Sequence, residues 1–473
     1  MNAVMLALAL LSPIALGGAL LRALGLRASG DRLAFAATST LTGYLALALL
    51  LWMWVVLRLP LERTAILGVV LGLSALSWRC ARWFHASPWQ EPERTPEPGR
   101  AGALCFGAVG VVVAWHLLDA ILSANATWPV LYGDEVNNWG IRAQLLYVHG
   151  GATPAFASDL ASGRYALTPD YPLLNPLLQL WIYVAADAIT LAENRLPLQL
   201  LFLALFALAA SALRRHAGPW LGALLLLSLA TTEIGTKLAG QALADPLLAL
   251  GLLSAYDTWL RARRSGERRW WILVALGLAC CAWSKREGTI AAVIFGVALL
   301  AGEPSLRAAL RRSVWLVPAF LVIAASNLWN LACGVHGNHA FDDSAGRSFT
   351  ARFRELAPQR WPELAEMLGR DLLLDATSFH LLPLLVLSIA LAFPRKLGGV
   401  ELRAPLLAFG AIAALQAVVL LAHPSPLSFH REVAFPRLVF QLLPVLALWL
   451  AVALEQLAPG HAAPREEPGS ASR

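Results

Sequence analysis

Charge is what this 473-residue chain has least of. Asp, Glu, Lys and Arg make up 14% of it, where a soluble domain carries about 25%. A soluble surface needs polar residues to cover it, so the shortfall excludes an ordinary globular protein. Lysine is nearly absent: of 37 basic residues only Lys237, Lys285 and Lys396 are lysine. The five cysteines contain no C-x-x-C pair, which removes a redox or zinc framework. There is no G-x-x-x-x-G-K phosphate loop and no repeat of 20–50 residues. The N-terminus lacks a basic leader and a cleavage site, and so reads as a first spanning helix.

What is abundant is apolar sequence, 58% of the residues. Thirteen helices of about 20 residues would use roughly 260 residues, close to that supply. Fourteen apolar runs lie between residues 3–21 and 438–455, and the weaker of the two between residues 172 and 213, the run 172–189, carries Pro172, Asn175, Pro176 and Asp187. The expectation is an all-α polytopic membrane bundle of about 13 spans (12–14), with amphipathic interfacial helices on the outer face. The net charge of +7 does not mark a nucleic-acid binder, because the arginines punctuate apolar runs. Clusters such as RARRSGERR (261–269) read as cytoplasmic retention signals. They fit one orientation only if an odd number of spans separates residues 172 and 213, so 172–189 is expected to be re-entrant or interfacial, under protein cover.

The chain then divides into extra N-terminal helices with a Pro-rich cytoplasmic linker (1–100), a catalytic membrane region (101–455) and a disordered cytoplasmic tail (456–473). Two long segments, 123–171 and 332–378, fall on the outer side. The active side is placed toward the outside of a bacterial inner membrane.

The first outer segment contains GDEVNNWGIRAQLL (133–146). Asp134 and Glu135 stand at its start, and Val136, Trp139, Ala143 and Leu146 follow at helical spacing, as for a helix lying flat on a bilayer. A partly desolvated carboxylate there suits a general base, although an acidic loop before an anchoring helix explains the same residues. Asp170 and Tyr171 precede a proline where the chain returns to the membrane, and Asp245 opens LADPLLAL at the start of a later span. Helix capping is the plainer account of both acids.

Several cations break the positive-inside pattern: Lys237, Lys285, Arg286, Arg431 and Arg437. Misplaced charge usually has a partner, and a lipid phosphate is one such partner. The plainer account pairs Lys237 with Glu233, Arg286 with Glu287 and Arg431 with Glu432. His116 and Asp119, one turn apart, read as an interfacial pair. His336, His339, Asp342 and Asp343 match no metal-ligand motif, and a solvated loop accounts for them. Phe349–Leu373 reads as an amphipathic surface helix.

The order of GDEVNNWGIRAQLL, PDYPLLNPLL (169–178), LADPLLAL (243–250), SKREG (284–288) and PRLVFQLLP (436–444) resembles the GT-C superfamily of membrane glycosyltransferases. More narrowly, it is similar to the protein O-mannosyltransferase and lipid A aminoarabinose transferase group. The resemblance covers residues 101–455. It implies transfer of a sugar from a polyprenyl-phosphate carrier to a glycan, lipid or protein acceptor hydroxyl at the outer leaflet, with inversion. It further implies catalytic Asp134, Glu135 and Asp245, with Asp170, Tyr171, Lys285, Arg286, Arg431 and Arg437 binding substrate. Metal dependence varies in that superfamily and no ligand set stands out here, so a divalent metal is left open and no metal residue is assigned. The chain departs from the pattern in having three spans before the first acidic loop, where the family usually has one, and in lacking a soluble outer domain. Two other classes compete: a flippase for lipid-linked sugars, which would favour symmetric halves, and a polysaccharide polymerase or ligase, which would lean more on outer Arg and His.

Overall fold

The computed structural model describes residues 2–27, 31–83, 87–88, 99–127, 133–166, 168–335 and 347–458. It is all-helical apart from one two-residue parallel pairing of Leu26–Arg27 with Ser87–Pro88. The linker between 89 and 98, the tail beyond 458, and His336, His339, Asp342 and Asp343 lie outside the described residues.

The chain opens with α1 (Ala3–Ala23), α2 (Arg32–Val56), α3 (Arg63–Ala81) and α4 (Arg100–Thr127). The segment after α4 carries α5 (Ile141–Val148), preceded by a π-helical turn over Glu135–Gly140, and α6 (Pro154–Ala161). Then come α7 (Leu174–Ala186), α8 (Leu196–Ala230), α9 (Glu233–Ala239), α10 (Asp245–Ser265), α11 (Trp270–Ser284), α12 (Arg286–Ala301) and α13 (Leu306–Ala332). The last third holds α14 (Phe349–Glu366), α15 (Leu382–Ala392), α16 (Val400–Ala422), α17 (Leu427–Val433), α18 (Phe435–Phe440) and α19 (Leu443–Leu457).

Among the described residues, eight helical stretches are long and apolar enough to cross a membrane. The others fall short because polar residues and backbone breaks cut the apolar runs. α7 has 13 residues and α11 has 15, a rise of about 20 and 22 Å against a hydrocarbon core of roughly 30 Å. α7 is nevertheless sheathed in protein over nearly all its length, which suits the covered segment expected at 172–189. α8 merges two expected spans across a break at Gly218, whose positive φ lets the chain turn ahead of Pro219.

α10, α11 and α19 are buried almost throughout and form the centre of the bundle. α4 and α13 instead leave most of their apolar surface uncovered: Leu104, Val111, Trp115, Leu310 and Leu321 are all exposed. Small residues permit the tightest crossings. A Cβ on Gly43 of α2 would run into the Pro13 carbonyl of α1, and one on Gly251 of α10 would meet the Cys281 sulfur and the Gly277 carbonyl of α11.

One expectation is corrected. The periodic residues Trp139, Ala143 and Leu146 do not form a membrane-surface face; they are fully buried in the protein core. The same spacing serves either purpose, and α7 supplies the partner surface here. The segment after α13 does run helically from Phe349 to Leu374, finishing in a π-helical stretch.

Candidate functional site

α10 carries one acid at its start and another just past its middle. Asp245 is its first residue, while Asp257 lies 12 residues further on, about 18 Å along the axis. Each is the focus of a separate buried ionic cluster.

At the Asp245 end, four distant motifs meet. Asp245 is fully buried, and the amide nitrogen that helix capping would use is not what its carboxylate binds. It accepts instead from Arg437 Nε at 3.1 Å and Nη2 at 2.9 Å, from Lys285 Nζ at 3.1 Å and from Gln441 Nε2 at 2.6 Å. Arg437 also donates through Nη1 to Asp134 Oδ2 at 2.5 Å, so one guanidinium bridges the two acids. The local fold explains the convergence. α11 ends at Ser284 and Lys285 takes an extended backbone, which frees its side chain to reach back to the start of α10. Arg437 and Gln441 are one turn apart on the α18 segment, on the same face.

Exposure separates the two acids. The Asp134 side chain is 39% exposed and Asp245 is at 0%. Asp134 is steadied by Asn138 Nδ2 at 3.1 Å, and Asn138 in turn accepts from the Thr168 hydroxyl at 2.7 Å. Next to this centre Asp170 forms an ion pair with Arg286, and its backbone carbonyl accepts from Asn330 Nδ2 at 2.7 Å. Asp170 therefore does not cap α7, which begins at Leu174 with Leu173 as its N-cap, and Arg286 selects Asp170, not its chain neighbour Glu287. The Tyr171 ring stacks on Trp139 with centroids 5.2 Å apart, and its carbonyl accepts from the buried Arg142 at 2.5 Å. Burial, with the carboxylates around it, pushes the Tyr171 phenol well above its usual range.

Two expected site residues fall elsewhere. Glu135 turns away from Asp134, is 2% exposed, and bonds to Arg195 at 3.1 Å and to the Ala242 amide. Consecutive helical positions point about 100° apart, so adjacency in sequence does not put both carboxylates in one cavity. Arg431 reaches Asp371 at 2.6 and 2.8 Å and Glu366 at 3.2 Å, at the end of α14 and the π-helical stretch after it, and not the Asp245 centre. Lys237 forms the expected exposed pair with Glu233 at 2.6 Å. His116 bonds to the Thr236 hydroxyl at 3.1 Å in place of the expected pairing with Asp119. Among the described residues, no group of three His, Cys, Asp or Glu side chains is placed to hold a metal ion.

No known family, no curated protein and no solved structure matches this chain. Its chemistry therefore rests on its own residues.

The second cluster lies past the middle of α10 and involves none of the motifs that carry the family resemblance. Arg215 bonds to Asp31 at 3.1 Å and to Asp257 at 2.5 Å, and Arg261 bonds to the same two acids at 3.1 and 3.0 Å. All four residues are buried. The spacing of Asp257 and Arg261, i and i+4 inside an apolar helix, is the signal that would have found it. Beside it Glu455 accepts from Arg264 at 3.1 Å and lies 2.7 Å from His216. With two acids and two arginines mutually paired, this cluster ties α2, α8 and α10 together and has little left to offer a ligand.

Between α16 and α18, His423 and His430 lie 2.9 Å apart, Nδ1 to Nε2. His423 Nδ1 also accepts from the Ser425 amide at 3.1 Å, so His430 Nε2 must carry the donated proton. Burial, then the nearby His430 and the Arg360 and Arg352 guanidiniums, lowers His423 to about 4.

Proposed function

We propose that this chain is a multi-pass membrane glycosyltransferase. It takes a sugar from a polyprenyl-phosphate carrier and passes it to an acceptor hydroxyl at the outer face of the membrane, with inversion at the anomeric carbon. The observation that carries the reading is the convergence of Asp134, Asp245, Lys285 and Arg437 on one bridged centre. These residues come from motifs up to 303 positions apart, and they are the acids and cations that the resemblance to GT-C enzymes singles out. The uncovered apolar faces of α4 and α13 support a membrane setting, since a soluble monomer rarely leaves such continuous patches bare.

Each residue has a separate task. Asp134, half-exposed, is the general base that removes the acceptor hydroxyl proton. Arg437 and Lys285 neutralise the carrier phosphate as the bond from the anomeric carbon to the phosphate oxygen breaks and a new bond forms to the acceptor oxygen. Asp245 touches neither reactant; its buried charge keeps both cations in place. Glu135 is a positioning residue that anchors the Asp134 turn to Arg195 and the start of α10. Without substrate, Arg437 occupies the Asp134 carboxylate. The arriving phosphate competes for that guanidinium and frees the base when donor is bound. The test is sugar transfer in vesicles supplied with a polyprenyl-phosphate sugar, compared between the unaltered chain and Asp134→Asn. Transport of the intact lipid-linked sugar without cleavage would identify a flippase instead.

A further inference from the structure

Ala242 lies three residues before Asp245, in the connection from α9 to α10, and is fully buried. Side chains take both polar groups of its backbone. Glu135 accepts from the amide, and Asn175 Nδ2 donates to the carbonyl at 2.8 Å. Glu135 belongs to the π-helical turn before α5, and Asn175 to the first turn of α7.

Behind each stands a further support, and both supports start at one place. Glu135 accepts from Arg195 Nη2 at 3.1 Å. Asn175 Oδ1 accepts from Gln179 Nε2 at 2.7 Å, and Gln179 Oε1 accepts from Asn194 Nδ2 at 2.7 Å. Asn194 and Arg195 are consecutive residues of the 3-10 turn Glu193–Arg195 that leads into α8. The bonds thus close a ring through Arg195, Glu135, Ala242, Asn175, Gln179 and Asn194, all of them buried. The ring has one direction. The Ala242 carbonyl needs a donor, which turns Asn175 Nδ2 toward it and leaves Oδ1 to accept, and Gln179 follows the same way round. Asn194 Nδ2 also donates to the Tyr183 hydroxyl at 3.0 Å. Asn175, Gln179 and Tyr183, four apart, form a polar stripe on one face of α7.

The series ends on Asn194 Oδ1, a buried oxygen without a hydrogen-bond partner among the described residues. Such an oxygen costs stability, and replacing both partners of a buried hydrogen bond by apolar groups is close to neutral. Stability alone therefore does not explain the ring. What apolar side chains could not do is hold one backbone residue from two sides. We infer that Asn175, Gln179 and Asn194 are positioning residues for the Asp245 centre. With Glu135 and Arg195 they fix the connection that delivers Asp245, so that Lys285 and Arg437 stand where the substrate phosphate needs them. This rests on the proposed function for what is positioned. Reacting groups must be held to within about 0.5 Å, and the α9–α10 connection lies outside both helices, so side chains supply that hold.

Lys237, Lys285 and Lys396 are the only lysines, so amine acylation of the full-length protein in detergent reads the state of Lys285 directly. Lys285, bonded to Asp245 and 6% exposed, should label far more slowly than Lys237, which is 64% exposed. Asn175→Leu should raise the Lys285-to-Lys237 labelling ratio roughly fivefold or more. It should also weaken binding of sugar-free polyprenyl phosphate about tenfold, a loss on the scale of one buried hydrogen bond. Asn175→Asp adds a pH test. Its carboxyl, when protonated, donates to Ala242 and accepts from Gln179 as the amide does; when ionised, it opposes the Ala242 carbonyl. Relative to the unaltered chain at the same pH, it should behave normally at about pH 6.5, where burial favours the protonated form, and like Asn175→Leu at about pH 9. Asp31→Ala, which loosens the other buried cluster, should lower thermal stability and leave both the ratio and the affinity unchanged. An unchanged ratio and affinity in Asn175→Leu would overturn the inference, as would the same changes in Asp31→Ala. Should Asn175→Leu fail to fold, the pH series decides, and a ratio in Asn175→Asp that follows the unaltered chain at both pH values overturns it. If the unaltered chain binds no polyprenyl phosphate, the transferase reading fails and the lysine ratio alone decides the positioning role.

Discussion

Replacing Asp245 by Asn keeps the side chain's shape and removes its charge. In the folded protein that carboxylate is at 0% exposure and accepts four hydrogen bonds, two from Arg437 and one each from Lys285 and Gln441. Arg437 and Lys285 are themselves only 14% and 6% exposed, so neither can recover full hydration when its partner goes. Arg437 keeps Asp134, while Lys285 keeps only Glu287, 3.9 Å away. Removing one member of a buried pair costs about 3–5 kcal/mol, because a charge is left uncompensated. By contrast Asp134→Asn, at a 39% exposed position, should cost less than about 1 kcal/mol. The comparison is made by thermal unfolding of both variants in the same detergent, followed by double substitution with Arg437→Gln. Asp245→Asn should unfold several degrees lower than Asp134→Asn, and the double variant Asp245→Asn/Arg437→Gln should regain part of the loss. If Asp245→Asn unfolds at the same temperature as the unaltered protein, Asp245 does not anchor a buried ionic centre and the geometry described above is wrong.

Other consequences follow from the remaining clusters. Asp31→Ala leaves Arg215 and Arg261 sharing Asp257 alone, and should destabilise the protein by about 3–5 kcal/mol without changing donor affinity, which thermal unfolding and lipid-phosphate titration would separate. His423 is held in its neutral form at about 4 by burial, below its ordinary value near 6.5. The unfolded chain therefore binds more protons between those limits, and stability should be full above pH 6.5 and fall as pH drops toward 4. Hydrogen-exchange protection over residues 420–432, taken relative to the intrinsic rate at each pH, should fall in that window and should not do so in His423→Gln. Cysteines at the exposed positions Ser162 and Arg268 should react with a membrane-impermeant maleimide from opposite sides. Labelling of both from one side would break the orientation drawn from the arginine pattern.

Much of this was legible in the sequence because helical periodicity and misplaced charges are local signals. Asp134, Asp170, Asp245, Lys285, Arg286 and Arg437 all stood out against apolar surroundings, and they do come together at one end of the bundle. What could not be read was partner choice, which depends on the direction each side chain leaves its helix. Arg431 and Arg437 are six residues apart, yet α17 and α18 turn the first toward Asp371 and the second toward Asp245. Glu135 looked like a twin of Asp134 and proves to be an anchor for Arg195. The Asp31–Arg215–Asp257–Arg261 cluster was hidden for another reason: arginines at span ends also serve as retention signals, so their sequence context does not reveal a buried partner. Breaks such as Gly218 and short helices such as α7 blur the relation between apolar runs and crossings.

The central claim is that Asp134 removes a proton while a sugar leaves its lipid phosphate. Its most direct test is transfer of a labelled sugar from polyprenyl phosphate to acceptor in proteoliposomes, with the unaltered chain and Asp134→Asn inserted at equal abundance. The account predicts that the unaltered chain releases polyprenyl phosphate as acceptor is labelled, and that the variant binds donor yet transfers at least 100-fold more slowly. Equal transfer by the two proteins would contradict it.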